Sequence, residues 1–362
     1  MSNSWSHIRL GDACDIINGR NQKAVEDPSG VFPIYGSGGI MGYANTYLCK
    51  GGSTIIGRKG TINRPLYVDI DFWNVDTAFG LSPKAGIAPR FLFYLCKSIN
   101  WLKYNKSTTL PSLVKSDLLQ IPISVPGIEE QQRIVDELDL LTGVIDKKNA
   151  QLRDLDALAQ SIFYEMFGDP ESSAFPVQSL RELSTANLSY GSGASAVPFD
   201  GNIRYIRITD IDERGELNSD IVSPSIFDAK YLLHEGDILF ARSGATVGKT
   251  YLYHSSDGSA IFAGYLIRVV PDTNIVLPEY LFNFTKTGFY KRFIGLNAQA
   301  VAQPNINAKQ YGSLKVVVPP IDLQHAFATK IEAIEQQKAL IKQSLQDTQT
   351  LLASRMDHYF GE

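Results

Sequence analysis

The chain has 362 residues, enough for two domains with substantial cores but short for three. Its 44% hydrophobic and 20% charged content excludes wholesale disorder. The net charge of −4 hides a division: residues 1–128 carry 13 basic against 8 acidic side chains, residues 129–170 carry 4 against 10, residues 171–321 carry 13 against 14 and residues 322–362 carry 4 against 6. Affinity for phosphates follows local charge, so the total does not exclude a DNA binder.

No run of 18 apolar residues occurs, and Met1–Gly11 lacks the basic and apolar regions of a signal peptide. The expected location is cytoplasmic, with no membrane partner. Three cysteines at wide spacing and five scattered histidines suggest neither a disulfide framework nor a metal site.

In chain order, the first glycine-bearing loop, Asn18 to Lys23, offers Arg20 as a ligand contact. Ser53–Gly57 and Pro65–Asp69 read as strands around the turn Arg58-Lys59-Gly60, and Pro89–Asn100 reads as a short helix opened by proline. Lys103 to Thr109 forms a basic and hydroxyl-rich loop in which Lys106 and Thr108 suit phosphate oxygens. A long helix follows, with the apolar seam Ile134, Leu138, Leu141, Ile145, Leu152, Leu155 and Ile162 interrupted by Lys148.

The same succession then repeats. Leu110-Pro111-Ser112-Leu113 through Pro126 to Gln131 matches Gln303-Pro304-Asn305-Ile306 through Pro319 to Gln324 at a constant offset of 193, and Phe167-Gly168-Asp169 falls on Phe360-Gly361-Glu362 at the same offset. Pro89 matches Pro278 at 189, Gly52 to Gly60 matches Gly236 to Gly244 at 184, and Leu10 matches Leu180 at 170. Loops therefore differ in length between two copies of one unit.

In the second copy, Ser189 to Gly193 with Tyr190 corresponds to the first glycine-bearing loop. Asp237–Ala241, Thr250–Tyr253 and Tyr265–Val270 read as strands, and Pro278–Phe289 reads as a helix. Candidate nucleic-acid contacts here are Arg242, Ser243, Lys249, Lys291, Gln299, Gln303 and Asn305, beside Arg58 and Lys59 of the first copy. Arginine presents a planar donor fork to guanine edges, amides pair with adenine, and lysines and hydroxyls meet phosphates. Structural ion pairs for the arginines and loop caps for Gln303 and Asn305 are the competing readings. The second long helix carries Phe327, Ile331, Ile334, Ile341, Leu345 and Leu352, with Lys338 in its seam. Each helix is expected to run about 35–38 residues and to pair with the other antiparallel, the alternative being that each packs on its own domain. Lys148 and Lys338 either set register or stay solvated, and solvation is the favoured reading.

Ser243 to Thr250 approaches a phosphate-loop pattern but has Ser where Gly or Ala is needed, and its counterpart Lys59 to Arg64 has no Gly-Lys-Ser/Thr. No methyltransferase segment, metal cluster or nucleophile elbow appears, so the chain is not expected to be an enzyme by itself and carries no cofactor.

Gly-Asp-Ile-Leu-Phe-Ala-Arg-Ser-Gly at 236–244, Gln-Pro-Asn-Ile at 303–306, Val177 to Leu180 and Val317 to Gln324 resemble the DNA-specificity subunit of type I restriction-modification enzymes. The resemblance runs over residues 5–360. It implies an α+β fold: two homologous mixed α/β target recognition domains separated by a long antiparallel two-helix coiled coil, in a pseudo-twofold arrangement. The expected boundaries are 1–128 and 171–321 for the recognition domains, with 129–170 and 322–362 for the spacer helices. It further implies an asymmetric bipartite target in double-stranded DNA, and two adenine methyltransferase (modification) subunits docked on the helices. Two restriction subunits are optional further members. S-adenosylmethionine, ATP and Mg2+ would belong to those partners. A coiled-coil adaptor that binds proteins is the alternative.

Overall fold

The computed structural model describes residues 5–298 and 304–361. The chain forms two compact units, Met1–Asn149 with Lys342–Glu362, and Ala150–Ile341. These units cut across the expected sequential boundaries, because each recruits a part of both long helices.

In the first unit, Ser6–Arg9 pairs antiparallel with Pro122–Val125, directly ahead of the long helix Ile128–Phe167. The central sheet has the order Cys14–Asn18, Ala78–Pro83, Ser53–Gly57, Leu66–Val68. The strand Ser53–Gly57 is buried along its whole length, and the helix Pro89–Ser98 covers it with Phe91, Leu92 and Leu95. A second sheet joins Phe32–Gly36 to Gly39–Ala44 and, in parallel, to Trp73–Asn74.

The second unit repeats this plan. Val177–Ser179 pairs antiparallel with Lys315–Val317 ahead of the long helix Ile321–Phe360, and the central sheet has the order Ser189–Tyr190, Leu266–Val269, Ile238–Ala241, Thr250–Leu252. The expected strands are all present within a residue or so of their bounds. The expected helix Pro278–Phe289 is broken: it runs Pro278–Phe284, then restarts as Gly288–Ala298. The hydroxyls of Thr285 and Thr287 bond back to the carbonyls of Phe282 and Phe284, and Thr287 Oγ1 accepts the Tyr290 N–H, so the intervening residues serve as caps.

Each long helix has 40 residues, or about 60 Å. Pro126-Gly127 and Pro319-Pro320 set the starts, with Glu129, Glu130 and Asp322 in the first turns, where acidic charge suits the dipole. Gly168, at φ +72°, ends the first helix and donates to the Tyr164 carbonyl. Within the first unit, Glu137 meets Arg355 and accepts from the Tyr359 hydroxyl at 2.6 Å, while Lys148 Nζ donates to the Ser344 carbonyl at 2.7 Å and Thr348 Oγ1 at 2.8 Å. Within the second unit, Lys338 pairs with Asp156 at 2.8 Å, and Phe163 and Phe167 pack on Phe327. In both units the partner number falls as the first helix advances, so the segments run antiparallel.

These contacts correct the reading of both lysines as solvated. Lys148 bridges the helices through three acceptors. Lys338 is buried; desolvation opposes its charge, but Asp156 and Glu335 outweigh that and raise its pKa. The seam is also recentred. Ile134, Leu138, Leu152, Phe327, Ile331 and Ile334 are buried, whereas Leu141, Ile145, Leu155, Ile162, Ile341, Leu345 and Leu352 are half-buried. The fully buried anchor beside Ile162 is Phe163, packed on Tyr280, Phe284 and Phe327.

One buried glutamine ties the start of each long helix to the unit that holds it. Gln131 Oε1 accepts from the Ala88 N–H at 2.8 Å, and its Nε2 donates to the Pro126 and Gly86 carbonyls at 2.9 and 3.0 Å. Gln324 does the same with the Leu277 N–H at 2.8 Å and the Pro319 and Ile275 carbonyls at 2.8 and 3.0 Å. Duplication thus extends to individual hydrogen bonds.

Candidate nucleic-acid interface

The turn after the central buried strand is built alike in both units. Arg58 N–H donates to the Thr77 carbonyl at 2.7 Å, its carbonyl accepts from Leu113 at 2.9 Å, and Gly60 N–H donates to Pro111 at 2.9 Å. In the second unit, Arg242 N–H donates to Tyr265 at 3.0 Å, its carbonyl accepts from Ile306 at 2.8 Å, and Gly244 N–H donates to Pro304 at 3.0 Å. Lys59 bridges to Ser112 as Ser243 bridges to Asn305. Gly60 and Gly244 have φ of +80° and +67°, which a side chain would resist. Each arginine therefore leaves a rigid strand end on a backbone held from two sides.

The surroundings of the two arginines differ. The Arg242 guanidinium lies 4.8 Å from the centre of the Tyr190 ring, and Nη2 donates to Asn305 Oδ1 at 3.2 Å. Tyr190 is itself fixed, its hydroxyl accepting from the Ala308 N–H at 3.0 Å. Buried Arg242 Nε has no partner among the described residues. In the first unit the ring comes from the neighbouring strand: Arg58 lies over Phe79 at 5.7 Å and reaches the Asp76 carbonyl at 3.5 Å. By register, Phe79 corresponds to Ile267, and Tyr190 to Asn18. One structural role is thus filled from different strands, a substitution that linear matching does not reveal.

Tyr190, Arg242, Ser243 and Asn305 are gathered in the second unit, and Arg58 and Lys59 in the first. Arg20 extends exposed from a backbone whose carbonyl accepts the Trp73 indole N–H at 3.0 Å. Thr108 is exposed, and Lys106 is exposed but paired with Asp117 at 3.1 Å. Their loop is organised by Asn105 Oδ1, which accepts from Ser107 and Ser112. Lys249 does not join Arg242. It is paired with Glu213 at 3.2 Å and donates to the Ile211 carbonyl. Lys291, with Lys249, lines a separate cavity. Gln299 and Gln303 lie outside the described residues.

The stretch resembling a phosphate loop forms the short 3-10 turn Gly244–Thr246, and Thr250 then begins a strand. A phosphate-cradling loop needs a helix N-terminus there, which this turn does not supply. Among the described residues no cluster of three or more His, Cys, Asp or Glu side chains could hold a metal, and no helix is long and apolar enough to cross a membrane.

The family model for the type I restriction modification DNA specificity domain matches residues 3–155 and again residues 191–348. The chain belongs to this family. A Haemophilus influenzae protein assigned as a type I restriction enzyme specificity subunit is 22% identical over 342 residues, covering 90% of this chain and 86% of that protein. The EcoDI specificity subunit of Escherichia coli is 18% identical over 373 residues, covering 91% and 81%. Among solved structures, the S subunit of M. genitalium has a TM-score of 0.61 at 15% identity, covering 98% of this chain and 96% of that one. A chain from a structure of type I R-M complex assembly has a TM-score of 0.52 at 18% identity, covering 99% and 98%. These likenesses show the specificity-subunit fold. The function they support is DNA sequence recognition within a larger complex; the subunit is not itself the catalyst. They give no support to an adaptor.

Proposed function

We propose that each unit of this specificity subunit reads one half of a split, asymmetric DNA target, with Arg58 and Arg242 as the central readers. The observation that carries this reading is the turn built twice on the same backbone bonds, with different side chains around each arginine. A guanidinium stacked on an aromatic ring keeps its donor edge oriented, and a bidentate contact to a guanine edge discriminates by about 1–3 kcal/mol. Arg58 stands beside exposed Lys59, while Arg242 stands beside Tyr190, Ser243 and Asn305, so the two half-sites differ. Arg20, Lys106 and Thr108 supply backbone-positioning contacts in the first unit.

The long helices set the distance between the half-sites and dock two modification subunits, which bring S-adenosylmethionine and perform adenine methylation. Restriction subunits, when present, bring the ATP- and Mg2+-dependent activity. The assembly acts on chromosomal DNA in the cytoplasm. Coexpression with the cognate modification subunit, followed by genome-wide mapping of N6-methyladenine, tests this. A new split motif that requires this chain is expected. An unchanged methylome despite a folded complex with an active modification subunit refutes it.

A further inference from the structure

Within the second unit a cavity of about 330 Å³ opens where the turn Val247–Lys249, the helices Pro278–Phe284 and Gly288–Ala298, and the first long helix around Asp156 meet. Its size lies at the low end for small-molecule sites. Val247, Phe282, Tyr290 and Ile294 give it apolar walls. Four cations line it, Arg214, Lys249, Lys286 and Lys291, against two carboxylates, Asp156 and Glu213.

Both carboxylates are already engaged. Asp156 pairs with Arg214 at 3.2 Å and with Lys338 at 2.8 Å, and Glu213 pairs with Lys249 at 3.2 Å. Among the described residues, Lys286 and Lys291 have no carboxylate within ion-pair distance. Lys286 Nζ donates to Thr250 Oγ1 at 3.2 Å and sits 4.3 Å from the centre of the Phe282 ring. Gly215 closes over it at φ +86°, where a Cβ would fall 2.9 Å from Nζ and 2.5 Å from the Thr250 carbonyl. Burial holds the Lys286 amine down to about 8; Asp212, Glu213 and Asp156 pull the other way, and Lys338 adds to the depression. A desolvated ammonium with one protein acceptor is a site whose charge an incoming anion would stabilise.

We propose that this cavity binds a small phosphate monoester, its dianion held by Lys286 and Lys291 and its organic body lying against the apolar walls. Two unpaired cations match a dianion, and the walls give no reason for a bare ion to stay. The proposal does not rest on the DNA-reading turn, so its failure would leave that reading intact.

The test is calorimetric titration of the full chain with AMP and with inorganic phosphate at pH 8, in two buffers of different ionisation enthalpy. AMP is expected to bind with a Kd below about 1 mM, at least about tenfold tighter than inorganic phosphate. Because burial holds the Lys286 amine below its ordinary range and a bound dianion would raise it again, AMP binding should be accompanied by net proton uptake. Lys286→Met should weaken AMP at least about tenfold and abolish proton uptake, and Lys291→Ala, at an exposed side chain, should weaken it without affecting the fold. Absence of binding up to 10 mM AMP overturns the proposal. So does equal affinity for inorganic phosphate, or AMP affinity unchanged in both variants.

Discussion

Replacing Gln131 with Ala tests how the first long helix is fastened. The side chain is 1% exposed, and truncation leaves the Ala88 N–H and the Pro126 and Gly86 carbonyls without their amide partner. At about 1 kcal/mol for each buried group left unpaired, the loss is about 3 kcal/mol. With a urea m value of about 2 kcal/mol/M, the unfolding midpoint should fall by about 1.5 M. The readout is intrinsic: Trp5, Trp73 and Trp101 all lie in the first unit, and Trp101 is fully buried in the same core as Ile134 and Leu138. Gln132, exposed one residue on, is the control, and Gln132→Ala should move the midpoint by less than about 0.3 M. A shift below about 0.5 M for Gln131→Ala would show that the buried network does not hold the helix.

Three further outcomes follow from the packing and the charges. Phe163→Ala should cost about 3–5 kcal/mol in unfolding followed by near-UV circular dichroism of tyrosine, and Ile162→Ala distinctly less; equal costs would contradict the recentred seam. Arg355 and Tyr359 hold the Glu137 carboxyl below its ordinary range, so its stabilisation is present above a pH of about 4.3 and is lost as pH falls through the lower folded value. Stability measured from pH 5 to 3 should therefore fall more steeply in the wild type than in Glu137→Gln, and parallel curves would exclude the contribution. Burial pushes the thiols of Cys14 and Cys49 up to about 12 and that of Cys96 well above its usual value. A thiol-reactive disulfide reagent should modify none of the three in native buffer and all three in denaturant; rapid native labelling would contradict their burial.

The duplication was legible in the sequence because paired elements tolerate no slippage where they pack. The constant offset from Pro111 and Pro304 to Gln131 and Gln324 marks the stretch in which turn, closing strand and buried glutamine are all fixed by hydrogen bonds. Strand positions were legible for the same reason, as Ser53–Gly57 and Ile238–Ala241 are buried on both faces. What escaped depends on partners distant in the chain. Lys148 and Lys338 read as solvated because their acceptors, Ser344, Thr348 and Asp156, lie on the other helix. A regular three-four spacing along the first long helix falls on Ile162 and misses Phe163. The partner of Lys249, Glu213, lies 36 residues earlier in the chain, beyond the reach of local spacing. The ring under each arginine was hidden by the change of strand, Phe79 in one unit and Tyr190 in the other.

The central claim is that the two arginine turns read separate half-sites. Its most direct test is the N6-methyladenine map of cells expressing the modification subunit with Arg58→Ala or with Arg242→Ala. Each variant should relax the motif at one position or more of one half-site only, a different half for each, leaving the gap length unchanged. Relaxation of both halves by either variant, or of neither by both while methylation persists, would contradict the account.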